Sequence, residues 1–124
     1  MAGEADFGEL ADDLSTDDLR SVLAVFTTDV RRLGGDLTAT AAADDVAGFQ
    51  RAAHGLAGAA GAVAARALEQ ACRVAMTGTD LAVADLKPTA VTVGHLGERA
   101  LRELAAFLDR RDAVAATDKF AADA

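Results

Sequence analysis

Apolar residues recur every three or four positions along most of the chain, and no stretch alternates as a strand would. Leu19, Val22, Leu23, Phe26, Val30, Leu33 and Leu37 form the clearest stripe, matching one face of an α-helix. Ser15 stands before it as an N-cap, with Thr16, Asp17 and Asp18 in the first turn, where negative charge suits the helix dipole. Leu14 and Leu19 flank that cap at the spacing of a hydrophobic staple. The helix is expected to reach about Ala42, even though Gly34 and Gly35 each cost about 1 kcal/mol relative to alanine.

A second helix, capped by Asp44 or Asp45, carries Phe49 and His54 and is expected to end or loosen near Gly61. A third, from Ala64 to Met76, turns Leu68, Cys72, Ala75 and Met76 inward, with Gly78 as its stop signal. The fourth starts around Asp85 with Pro88 in its first turn. It carries Leu86, Ala90, Val93, Gly97, Leu101, Leu104 and Leu108, and is expected to end near Arg110. Residues 1–14 read as a short helix or ordered arm with Phe7, Leu10 and Leu14 at helical spacing, and residues 111–124 as a frayed tail. Residues 15–110 then make an all-α domain, an antiparallel four-helix bundle with a short extra N-terminal helix.

Composition agrees. The chain has 124 residues, 52% of them hydrophobic and 26% charged, with a single proline: enough for one packed core and too apolar for disorder. Its net charge of −8 repels phosphate backbones and anionic lipid, so nucleic acid and membrane surfaces are not expected partners. The longest stretch without formal charge, Ala52 to Ala65, is too short and glycine-rich to span a bilayer. MAGEADF lacks the basic and then apolar pattern of a secretion signal, and Cys72, being alone, forms no internal disulfide. A monomeric cytoplasmic protein is the expectation.

The candidate chemistry sits in AAHGLAGAAGA, residues 52–62. At about 100° per residue, Phe49, Ala52, Leu56, Ala59, Ala60 and Val63 fall on one side of the helix. Ala47, Gln50, Arg51, His54, Ala57, Gly58 and Gly61 fall on the other. A lone histidine among apolar residues is commonly a core side chain, but His54 lies opposite Phe49 and Leu56. Gly55, Gly58 and Gly61 together cost about 3 kcal/mol against alanine. Gly55 suits close packing on a neighbouring helix, while bare positions at 58 and 61 leave the imidazole approachable.

No Asp, Glu, Cys or second His lies one turn from His54 to complete a metal site, and no serine or cysteine nucleophile accompanies it. The bare face offers no pocket for acid–base catalysis. What remains is the imidazole as nucleophile, whose neutral form, with a reference pKa of about 6.5, can accept a phosphoryl group while a partner brings metal and positioning charge.

His54-Gly55-Leu56-Ala57-Gly58-Ala59-Ala60-Gly61 resembles the H-x-L-K-G signature of histidine-containing phosphotransfer (HPt) domains. The stretch Ala43 to His54, the apolar Val63, Leu68 and Cys72, and the flanking long helices extend the likeness over residues 7–110. The resemblance implies a phosphorelay intermediate with no catalytic domain or cofactor of its own, Mg²⁺ being expected on the partner. His54 would take a phosphoryl group from a response-regulator receiver aspartate, or from a sensor histidine kinase, and pass it to another receiver. Ala47, Ala57, Gly58 and Gly61 would form the docking face, with Gln50 and Arg51 beside the phosphoryl group.

Ala57 departs from the family's usual lysine, and Arg51, one turn earlier on that face, could reach the site in its place. The alternative is a non-phosphorylated module that docks receivers or kinases. His95 reads as a surface residue and Cys72 as a small core residue. The pairs Asp12–Asp13, Asp17–Asp18 and Asp44–Asp45 read as helix caps, because adjacent residues point apart on a helix.

Overall fold

A computed structural model describes residues 7–77 and 82–123. Gly78, the expected stop signal, and the start of the N-terminal arm lie outside them. The described residues form five helices: α1 (Phe7–Ala11), α2 (Thr16–Ala42), α3 (Val46–Ala62), α4 (Arg66–Thr77) and α5 (Val83–Asp123). Helix α2 packs on α3 and α5, α3 on α4, and α4 on α5, so the four long helices close into a bundle around one core. The anticipated stripes face inward. Leu19, Phe26, Val30, Leu33 and Leu37 of α2 are buried, as are Phe49 and Leu56 of α3, Leu68 and Cys72 of α4, and Leu86, Val93, Leu101, Leu104 and Leu108 of α5. No polar or charged side chain is buried among the described residues. Phe7 of α1 covers one end, its ring 6.1 Å from that of Phe107.

Helix α2 begins as its sequence requires, with the Ser15 hydroxyl accepting from Asp18 N–H at 3.1 Å, and it passes through Gly34–Gly35 to Ala42. The turns at either end of α3 are built alike. After α2, Asp44 adopts φ 56° and the amides of Asp44 and Asp45 donate back to Ala41 and Thr40. After α3, Ala64 adopts φ 56° and the amides of Ala64 and Ala65 donate to Gly61 and Ala60. Both are Schellman closures, which satisfy the last carbonyls and reverse the chain in three residues. Asp45 then caps α3, its carboxylate accepting from Gly48 N–H at 2.9 Å. Ala64 and Ala65 thus belong to the turn, and α4 starts at Arg66 rather than Ala64.

Helix α5 departs most from expectation. It begins at Val83, so Pro88 lies in the second turn, where it is exposed and, having no N–H, offers the Ala84 carbonyl no amide donor. It also continues 13 residues beyond Arg110, so the tail expected to fray is helical through Asp123. Two contacts tie its first turn past Leu108 to the start of α2. Arg111 donates to the Leu14 carbonyl at 2.7 Å, and Arg20 bridges Asp17 and Asp112. The hydrogen bond and charge of Asp112, and then Asp17, raise the Arg20 pKa above its usual value.

Candidate functional site

His54 lies at the midpoint of α3, eight residues from each end, with its side chain exposed. Every backbone group of that segment is satisfied within the helix, so the imidazole projects from rigid structure rather than from a loop. Ala47, Arg51, Gly58 and Gly61 are exposed on the same side, and Gln50 is half-buried.

Ala57 does not share that exposure. Only 3% of it reaches solvent, which removes it from the open face anticipated from the helical wheel. The reason lies in the neighbouring helix. Ala57 sits about 60° from His54, on the flank that continues into the fully buried Ala53 and Ala60. Helix α4 packs on that flank, as two contacts centred on Ala65 define: His54 meets Met76, and Gly61 lies against Glu69. In this antiparallel register the residue across from Ala57 is Arg73. Position 57 is therefore a packing position here.

The three glycines separate into three environments. A Cβ on Gly55 would stand 3.3 Å from Leu33 Cδ2, so its bareness lets α2 approach closely. A Cβ on Gly61 would stand 2.9 Å from Glu69 Oε2, so that position houses the Glu69 carboxylate, itself held by Arg73 at 2.6 Å. A Cβ on Gly58 would meet nothing within 4 Å. Gly58 alone, one turn beyond His54, leaves empty space.

The imidazole makes one close contact. His54 Nδ1 lies 2.9 Å from Met76 Sδ, on a side chain that the sequence assigned to the core and that is half-buried at the α3–α4 seam. Sequence reasoning missed this neighbour, although an antiparallel pair of helices centred on Ala65 sets 54 against 76. It also missed Gly48, which is bare because the Asp45 cap carboxylate and Thr40 fold over it.

Arg51 lies on the other flank, over a shallow depression bordered by Asp36, Thr40 and Asp45. Two guanidinium groups, Arg51 from α3 and Arg73 from α4, thus flank the histidine face. An imidazole so placed can attack an electrophile presented from outside. Among the described residues no three His, Cys, Asp or Glu side chains gather as a metal site. His95 is exposed on α5, beside Thr38 and Ala41 of α2, and Cys72 is fully buried with its thiol pushed up to about 12 by desolvation. No described helix is long and apolar enough to cross a membrane.

The family model described as the Hpt domain matches residues 21–117, most of the chain. No curated protein and no solved structure matches it.

Proposed function

The chain belongs to the Hpt domain family, the histidine phosphotransfer modules of two-component phosphorelays, and from that premise we propose that His54 is its phosphoacceptor. The supporting observation is an exposed imidazole at the centre of a rigid helix with open space beside it at Gly58. In the proposed reaction the imidazole nitrogen attacks the phosphorus of a receiver's aspartyl phosphate. The N–P bond forms as the P–O bond to the aspartate breaks, and the carboxylate oxygen leaves with the electron pair. The receiver supplies the bound Mg²⁺ and the groups that stabilise the transferring phosphoryl. Transfer onward is the reverse step on a second receiver, or the first phosphoryl comes from a sensor kinase.

Docking uses Ala47, Gly58 and Gly61 around His54, with the exposed Val25 and half-buried Val22 and Ala59 extending an apolar groove between α2 and α3. Arg51 offsets the phosphoryl charge that a lysine at position 57 would otherwise meet, and Gln50 borders the site. The test is transfer of labelled phosphate from candidate phosphorylated receivers. Wild type is expected to acquire one acid-labile, base-stable label, and the His54→Gln variant none. A variant that still accepts label sinks the assignment.

The second reading, a module that docks receivers without accepting phosphate, draws on Ala57, whose buried methyl offers no charge. It predicts receiver binding that is indifferent to His54→Gln and unaccompanied by label.

A further inference from the structure

The contact between His54 Nδ1 and Met76 Sδ has chemical content of its own. A thioether sulfur has lone pairs and no proton, so a hydrogen bond between the two requires the proton to be on Nδ1, with sulfur accepting. That choice leaves Nε2 unprotonated. Because Nδ1 is turned to the α3–α4 seam, Nε2 is the nitrogen left to solvent. The nitrogen that a partner can reach is then the one carrying the lone pair.

Resting on the phosphotransfer reading above, we propose that Met76 is the positioning residue for His54, fixing both the tautomer and the ring orientation through Nδ1. Sulfur is a weak acceptor, and its place at the half-buried α3–α4 seam, 2.9 Å from Nδ1, is what sets it against solvent for that proton. During transfer, Nε2 bonds to phosphorus and the ring becomes a phosphoimidazolium that keeps its Nδ1 proton. The Nδ1–H to Sδ bond persists, now from a charged donor, and no proton has to move before or during attack. A ring protonated on Nε2 would first have to shift that proton. Met76 touches neither phosphorus nor partner and acts only through the imidazole.

The experiment compares wild type, Met76→Leu and Met76→Gln, all with ¹⁵N-labelled histidine. Ring ¹⁵N shifts of His54 report the tautomer, and labelling by phosphoramidate, a small phosphoryl donor needing no receiver, reports reactivity. Wild type is expected to show the Nδ1–H tautomer. Met76→Leu keeps the apolar bulk but lacks an acceptor, so the population moves toward Nε2–H and labelling slows about threefold, the scale of one weak hydrogen bond. Met76→Gln restores a side-chain acceptor and with it the tautomer. An Nε2–H tautomer in wild type, or a Leu variant with unchanged shifts and rate, overturns the proposal. The two readings fail separately: absence of receiver transfer counts against the phosphorelay assignment, whereas the tautomer is measured in the unmodified protein.

Discussion

Ala57 and Gly58 are consecutive residues of α3 with opposite surroundings, the alanine covered and the glycine open. A methyl at position 58 meets no neighbour, so Gly58→Ala is expected to raise stability by about 0.5–1 kcal/mol through helix propensity. The same methyl stands where a receiver is to approach, so transfer to His54 should slow. Urea unfolding and transfer kinetics on one variant would show the two effects with opposite sign; an unchanged transfer rate removes Gly58 from the interface. Gly97→Ala is the contrast. Its Cβ would lie 3.0 Å from Val30 Cγ1 at a buried position, so crowding offsets the propensity gain. The sequence made the outward direction of His54 legible because one helix's periodicity suffices for it. It could not show that Ala57 is covered, because a helical wheel does not say which flank a neighbour occupies. Met76 was hidden for a similar reason: its stripe gives the inward direction of α4, not which residue of α3 stands at its edge.

At the level of elements, stripe and cap chemistry placed the cores of α2 to α5 within a few residues of where they lie. The ends were harder, each for its own reason. Glycine is the usual left-handed residue just past a helix, yet the left-handed positions after α2 and α3 are Asp44 and Ala64. Aspartate tolerates that conformation through its short polar side chain; alanine has no such help and pays the Cβ penalty of about 1 kcal/mol. Ala64→Gly is therefore expected to stabilise the protein by up to about 1 kcal/mol, less the extra entropy glycine brings to the unfolded chain, as a higher urea midpoint. A lower midpoint would mean that the Ala64 methyl contributes packing exceeding its strain. The C-terminal end of α5 was misjudged because its apolar stripe stops at Leu108. Alanine at 113, 115, 116, 121 and 122 sustains a helix by intrinsic propensity without any stripe, and the Arg20–Asp112 and Arg111–Leu14 contacts steady its first turn past the core.

For the molecule as a whole, fold class was legible because length, alanine content and four spaced stripes all led to the same bundle. The partner class came from the lone histidine and the motif around it, which composition alone would not have supplied. Global stability carries one titration that the structure makes explicit. Buried Cys72 keeps its proton to about pH 12 in the folded protein, whereas in the unfolded chain it ionises near 9.0. The folded pKa is raised, so this contribution is complete below about pH 9 and is lost as pH rises from 9 toward 12. Urea midpoints at pH 8 and pH 10.5 should fall more for wild type than for Cys72→Ala; parallel falls would mean the thiol is not shielded. The same burial has a consequence for kinetics. An alkylating reagent reacts with the thiolate, which this cysteine forms only when α4 lifts from its neighbours and admits water. Cys72 lies one turn before Met76, and it is the only cysteine in the chain. Its slow modification therefore serves as a built-in clock for opening of the seam beneath the histidine, readable with and without a phosphoryl group in place.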